Sequence, residues 1–269
     1  MKAASTACNR DPLLCARELG VRIAGRWILQ NVNLELRAGR VCAILGGNGA
    51  GKTTLLRALS GDLPADAGAV TLAGRPIHAW PSLQLAQHRA VLTQHDNLRF
   101  PFRVAEVVAL AHLPWVGVEG RHGDDVVMAA LRAAHADAFA QRIYTELSGG
   151  ERARVRFARA LAQVWDQAGA FLLLDEPLAH LDFAYKYRCL DQACKQAHDR
   201  RLGVVTILHD PNLAARYADD VVLLQEGRLV GWGATREWLT AAHLSTLYDC
   251  RVVCHGDPEA ANGFFELQG

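Results

Sequence analysis

Two short stretches of this chain carry residues able to hold phosphate. The first, "GGNGAGKTT" (46–54), fits the pattern G-x-x-x-x-G-K-[ST]. An apolar, strand-like "VCAIL" precedes it and a helical "KTTLLRALS" follows. In that setting the backbone N–H groups of Gly46, Gly47, Asn48, Gly49, Ala50 and Gly51 surround phosphate oxygens at a helix N-terminus. Lys52 neutralises the β- and γ-phosphates, the Thr53 hydroxyl is a Mg²⁺ ligand, and Thr54 adds a hydrogen bond. The second stretch is "LSGGE" (147–151), in which Ser148 and Glu151 have the S-x-x-E spacing of a capping box. A cap alone does not call for Gly149 and Gly150. Two glycines let a ligand reach the free N–H groups of the helix start, which attract anions. One chain thus carries two phosphate-binding elements.

Acids and a histidine complete the set. "FLLLDEP" (171–177) is an apolar strand ending in Asp175 and Glu176. Asp175 is placed to bind Mg²⁺, directly or through water, and Glu176 to polarise an attacking water. Alone, two solvated acids at a strand end would explain this as well; a phosphate cradle in the same sheet favours chemistry. "GVVTILHD" (203–210) ends another apolar strand at His209, which can hydrogen-bond a γ-phosphate. Taken by itself, such a histidine reads better as an ordinary core or surface residue, and Gln94, in "AVLTQHDNLRF", carries no signal of its own.

The elements that must hold these residues follow from periodicity. "VNLEL" alternates, and "VCAIL" has the continuous apolar character of a strand buried on both faces. "KTTLLRALSG" reads as a helix stopped by Gly61, and "DAGAVTLAGRPI" as a hairpin. From Ser82 to Trp165 the spacing turns helical, and strand-like runs then return, alternating with "AYKYRCLDQACKQAHDRR". The expectation is an α/β fold: a mixed, mainly parallel sheet core, an N-terminal antiparallel β part and a helical insertion. The core is expected over 13–81 and 166–233, the insertion over 82–165, the whole domain over 13–238, and a partly helical tail over 239–269.

Bulk properties narrow the class. The net charge of +1 over 269 residues gives no reason to expect nucleic acid as a partner. No apolar run approaches the roughly 18 residues of a membrane span, and charges interrupt the N-terminal stretch where a signal-peptide core would lie. A cytosolic chain is expected, with any membrane role arising through a partner. Seven cysteines, an odd number without a C-x-x-C pair, point to reduced thiols.

Together these motifs resemble the nucleotide-binding subunits of ATP-binding cassette (ABC) transporters. The family order of Walker A, Q-loop, signature, Walker B, D-loop and H-loop falls here on 46–53, Gln94, 147–151, 172–176, 181–182 and His209. The resemblance implies an ATPase using ATP and Mg²⁺, with Thr53, Gln94 and Asp175 around the metal and Glu176, His209 and Lys52 as catalytic groups. It also implies that two copies pair head to tail. Ser148, Gly149 and Gly150 of one chain would then grip the γ-phosphate held by the P-loop of the other, with Asp182 at the same interface. The implied partners are a second copy, a membrane permease pair at the cytoplasmic face of the inner membrane and, indirectly, a periplasmic binding protein. Phe100 and Phe102 are candidate permease contacts, or else seal the insertion against the core. Two departures stand out: no aromatic falls near Ile23, where many cassettes stack adenine, leaving Trp27, or Val21 and Ile23, and His180 occupies the D-loop.

Within importers, "AVLTQHDNLRFPFRVAEVV" resembles the iron-chelate, haem and cobalamin group, and haemin-import ATPases most of all. Haem is the expected cargo, with ferric siderophore or cobalamin next. A soluble P-loop ATPase without a permease and a non-hydrolysing scaffold are the competing readings. The absence of an added domain counts against the first, and Lys52, Glu176 and His209 count against the second.

Overall fold

The computed structural model describes residues 13–93, 98, 100–118, 123–176, 183–256 and 263–268. The chain first forms β1 (Leu13–Ile23), β2 (Arg26–Arg37), β3 (Val41–Leu45), α1 (Lys52–Ser60), β4 (Ala67–Leu72), β5 (Arg75–Pro76), α2 (Ser82–His88) and β6 (Arg89–Leu92). A helical section follows: α3 (Val104–Ala109), α4 (Asp124–Ala133) and α5 (Gly149–Gln163). Then come β7 (Phe171–Leu174), α6 (Phe183–Arg200), β8 (Gly203–Ile207), α7 (Pro211–Tyr217), β9 (Asp220–Gln225) and β10 (Arg228–Ala234). The tail consists of α8 (Thr235–Trp238), α9 (Ala241–Tyr248), β11 (Arg251–His255) and β12 (Phe264–Gln268).

The main sheet has the order β10-β9-β3-β8-β7-β6, with every pair parallel except β10 against β9. A second sheet, β2-β1-β4-β5, is antiparallel. Period-two alternation splits the apolar runs of the main sheet between two cores. Val41, Ala43 and Leu45 of β3, with Leu172 and Leu174 of β7, face the core built with α3, α4, α5 and α6. Cys42 and Ile44, with Phe171 and Leu173, face the core shared with α1 and the antiparallel sheet. A sheet covered on both sides is rigid, so the loops at its strand ends start from fixed positions.

One stretch departs from expectation. Arg89–Leu92, inside the section expected to be helical, form β6 and pair with β7 from Arg89↔Phe171 to Leu92↔Leu174. Four residues give too short a run for alternation to declare itself, and the partner strand is distant in sequence. The end of α5 is tied to this edge: Gln163 Nε2 donates to the carbonyls of Ala86 and Arg89 at 2.8 and 3.0 Å. The tail's α8 and α9 match the helical expectation, whereas the hairpin β11–β12 was not foreseen.

Candidate active site

The phosphate cradle sits between β3 and α1. Gly46, at φ 157°, lies against β9, where a Cβ would come within 2.2 Å of the Leu224 carbonyl oxygen. Only glycine lets the chain leave β3 along this path. Gly51, at φ 99°, then turns the backbone into α1. A feature not legible in the sequence braces the loop: the β9–β10 turn, whose Gly227 N–H donates to the Ala50 carbonyl at 3.0 Å. Gly47 and Gly49 have open space where a Cβ would stand, leaving the mouth of the cradle clear.

Lys52 is buried, only 6% exposed. Its Nζ donates to the carbonyls of Gly46 at 2.9 Å and Gly47 at 2.8 Å. Burial pushes its pKa below the usual lysine value, while the carboxylates of Glu176 and Asp175 oppose that shift. The lysine is thus held by carbonyls of the loop whose ligand it would neutralise.

Next to it, Thr53 Oγ1 donates to Asp175 Oδ1 at 3.1 Å. Asp175 is buried and fixed by its own backbone, whose N–H donates to the Leu92 carbonyl of β6 at 2.9 Å. A hydroxyl and a carboxylate meeting at the rim of a phosphate loop form the hard oxygen donor set that suits Mg²⁺. Glu176 follows at φ 47°, in the left-handed region that residues with a Cβ avoid. Its Oε1 lies 2.9 Å from His209 Nε2, at the end of the neighbouring strand β8. The structure thus brings Lys52, Thr53, Asp175, Glu176 and His209 to the carboxyl ends of three adjacent parallel strands. Ligands of open α/β sheets bind at that edge.

The "LSGGE" stretch forms the expected cap. Ser148 Oγ accepts the Glu151 N–H at 3.3 Å, and Glu151 Oε2 accepts the Ser148 N–H at 2.8 Å. Above all the Ser148 N–H, then the Ser148 hydroxyl and Arg142, holds the Glu151 carboxyl below its ordinary pKa against the cost of desolvation. Ser148 and Gly149 are exposed, and nothing fills the space beside Gly149. The serine accepts through its oxygen, so its proton remains available to a ligand. Gln94 and Asp182 lie outside the described residues.

A family model described as ABC transporter matches residues 29–179, more than half of the sequence. The chain belongs to the ABC transporter family. Its curated relatives include the hemin import ATP-binding protein of Gloeobacter violaceus, 45% identical over 87% of this chain and 89% of that protein. The hemin import ATP-binding protein of Pseudomonas fluorescens is also 45% identical, over 92% and 96%. Among solved structures, a chain of an inward-facing ABC transporter assigned to the metal-chelate type aligns with a TM-score of 0.78. It is 25% identical and covers 96% of this chain and 98% of that one. The motif order of an ABC ATPase therefore sits on a cassette fold.

Two features around the ABC site were left open by sequence. Val21 is fully buried and has no face to offer adenine, whereas Ile23 and Trp27 are exposed, with the Arg22 guanidinium 3.9 Å from the Trp27 ring centre. Phe100 and Phe102 are exposed at 67% and 40%, so they do not seal the helical layer against the core. Beside the layer, a groove of about 300 Å³ is lined by Leu92, Thr93, Leu110, Leu113, Arg156 and Arg159, among others.

Proposed function

We propose that this chain is the ATP-hydrolysing subunit of a bacterial haem importer. The observation that carries the chemistry is the convergence of Lys52, the Thr53–Asp175 pair and the Glu176–His209 pair at one sheet edge. ATP phosphates occupy the loop 46–51, with Lys52 turning from the Gly46 and Gly47 carbonyls to the β- and γ-phosphates. Thr53, Asp175 and Gln94 hold Mg²⁺, which supplies charge neutralisation of the phosphate oxygens when bound. Glu176 accepts a proton from the attacking water, the bond from Pγ to the bridging oxygen breaks, and ADP and phosphate leave. His209 hydrogen-bonds the γ-phosphate and keeps the water in line.

The exposed Ser148 and Gly149 at the capped start of α5 support a second half-site. One chain has one P-loop and one such cap, so two copies related by a two-fold axis complete two sites, with Asp182 between them. The contacts of the cap with the γ-phosphate exist only in the closed dimer, so ATP closes it and hydrolysis opens it. The exposed Leu113 on the wall of the 300 Å³ groove, and the exposed Phe100 and Phe102, fit a permease segment. A permease pair at the cytoplasmic face of the inner membrane then receives cargo from a periplasmic binding protein. We assign the ATPase domain to 13–238 and the tail to 239–269, with Trp27 as the adenine support.

Haem as cargo rests on the relatives named for hemin import. A ferric siderophore is the second reading, favoured by the metal-chelate structure. The test is growth of a strain lacking the chain on haem or on ferric siderophores as sole iron source. Loss on haem alone, restored by the wild type but not by Lys52→Ala, supports ATP-driven haem import. Loss on siderophore alone moves the cargo assignment there.

A further inference from the structure

We infer that Asn212 is a positioning residue for His209, acting through a strap formed by the C-terminal strand β12. The inference rests on the reading of His209 as the γ-phosphate contact. His209 is 52% exposed, so packing around its side chain does little to hold it. Its ring meets Glu176 at 2.9 Å, and its backbone is fixed from either side. On one side the Leu208 N–H donates to the Ile44 carbonyl of β3 at 3.2 Å. On the other, Asp210 caps α7 by accepting the Asn212 N–H at 2.8 Å. The histidine therefore hangs between the sheet and the first turn of α7.

That first turn is clamped from the tail. The Asn212 carboxamide Nδ2 donates to the Phe265 carbonyl at 3.0 Å, and the Phe265 N–H donates to Asn212 Oδ1 at 2.7 Å. Both ends of the amide engage one residue, the pattern by which neighbouring strands pair. Phe265 itself is buried in the core with Leu244, Leu247 and Val252. An apolar contact would let α7 rotate about its axis; two hydrogen bonds to one residue of an anchored strand fix that rotation. A second tether reaches the other side of the site: Gln225 Nε2 donates to the Thr246 carbonyl of α9 at 2.9 Å. Gln225 ends β9, just before the turn whose Gly227 braces Ala50 of the phosphate loop. Among the described residues the tail adds no strand to either large sheet, yet it holds the first turn of α7 and the end of β9.

The experiment is a double-mutant cycle on the purified full-length chain. Turnover and KM for ATP are measured for the wild type, Asn212→Ala, His209→Ala and the double variant, with thermal melting as a folding check. Asn212→Ala is expected to lower kcat by up to about 10²-fold, the scale of a misplaced catalytic group, with KM little changed. In the His209→Ala background the same change is expected to cost nothing further, because the group it positions is gone. Asn212→Asp keeps the acceptor for the Phe265 N–H and should recover part of the rate; it carries the test if Asn212→Ala does not fold. Equal losses in both backgrounds, or a raised KM with unchanged kcat, overturn the inference while leaving His209 in its role. Unchanged turnover in His209→Ala overturns that role and this inference with it.

Discussion

The Glu176 carboxylate and the His209 imidazole meet at 2.9 Å across the ends of β7 and β8. The acid that would take a proton from water and the ring that would hold the γ-phosphate thus lie within hydrogen-bonding distance of each other. A hydrogen bond between them requires a proton on His209 Nε2 when the carboxylate is ionised. A γ-phosphate arriving at His209 would take that proton as its own hydrogen bond and release Glu176 toward water.

Glu176→Gln is expected to remove the base while keeping shape and the contact with His209. Turnover should fall by about 10²–10⁴-fold, while ATP still binds and dimers accumulate because the closed state is no longer consumed. ATPase assays alongside size-exclusion chromatography with ATP check both halves. Unchanged turnover would remove Glu176 from the chemistry.

Ser148 caps α5 and is proposed to contact a γ-phosphate, two roles that substitution can separate. Ser148→Ala loses the cap on α5 and should cost about 1 kcal/mol of stability, whereas glycine at the same position costs only a few tenths. Neither variant has a hydroxyl for the γ-phosphate of the opposite chain. Both should lose ATP-driven dimerisation and most turnover, although chemical denaturation will rank them differently. A Ser148→Gly chain with full activity would confine this serine to capping.

Two glycines of the phosphate loop should respond in opposite ways. In Gly46→Ala the new methyl meets the Leu224 carbonyl, a backbone atom of a central strand that has nowhere to go. A destabilisation of more than about 3 kcal/mol is expected, seen as insoluble protein or a large drop in melting temperature. In Gly49→Ala the methyl enters open space, and the strain of φ 76° adds about 1–2 kcal/mol. That chain should fold and bind ATP poorly, because the methyl stands where phosphate oxygens must approach.

Much of this was legible because the chemistry lies next to strongly patterned segments. β3, the loop 46–51 and α1 follow from one apolar run, its glycines and one amphipathic run, and Asp175 and Glu176 follow from the end of "FLLL". The capping box of Ser148 and Glu151 is a local relation, and it formed as spaced. What escaped depends on distant partners. Arg89–Leu92 is a strand only because β7 is there to pair with it. The brace from Gly227 to Ala50 and the clamp from Asn212 to Phe265 join residues far apart in sequence, and no local periodicity announces them. Val21, offered by sequence as a seat for adenine, is buried in β1 together with Leu19 and Gly20, and the strand turns to solvent only at Arg22 and Ile23.

The groove beside the helical layer makes a prediction about assembly. Leu113 is 60% exposed on its wall, so Leu113→Asp should leave melting temperature nearly unchanged, as surface substitutions do. The same change puts a charge where an apolar permease segment is proposed to lie. Co-purification with the permease should weaken while ATP binding persists; undiminished co-purification would place the contact elsewhere.

Glu151 gives a pH dependence whose sign can be worked out. Its folded pKa lies below the ordinary value of 4.5, chiefly because the Ser148 N–H donates to the ionised form. A group depressed on folding contributes stability above its unfolded pKa and loses it as pH falls through the folded one. Glu151→Gln carries no charge at any pH and lacks that contribution throughout. The melting temperatures of wild type and Glu151→Gln should therefore differ most near neutral pH. The gap should hold down to about pH 4.5 and narrow below it as Glu151 takes up its proton. A gap that stayed constant to pH 3 would mean that the carboxylate's charge contributes nothing to the cap, and that only the hydrogen-bonding shape of the side chain matters.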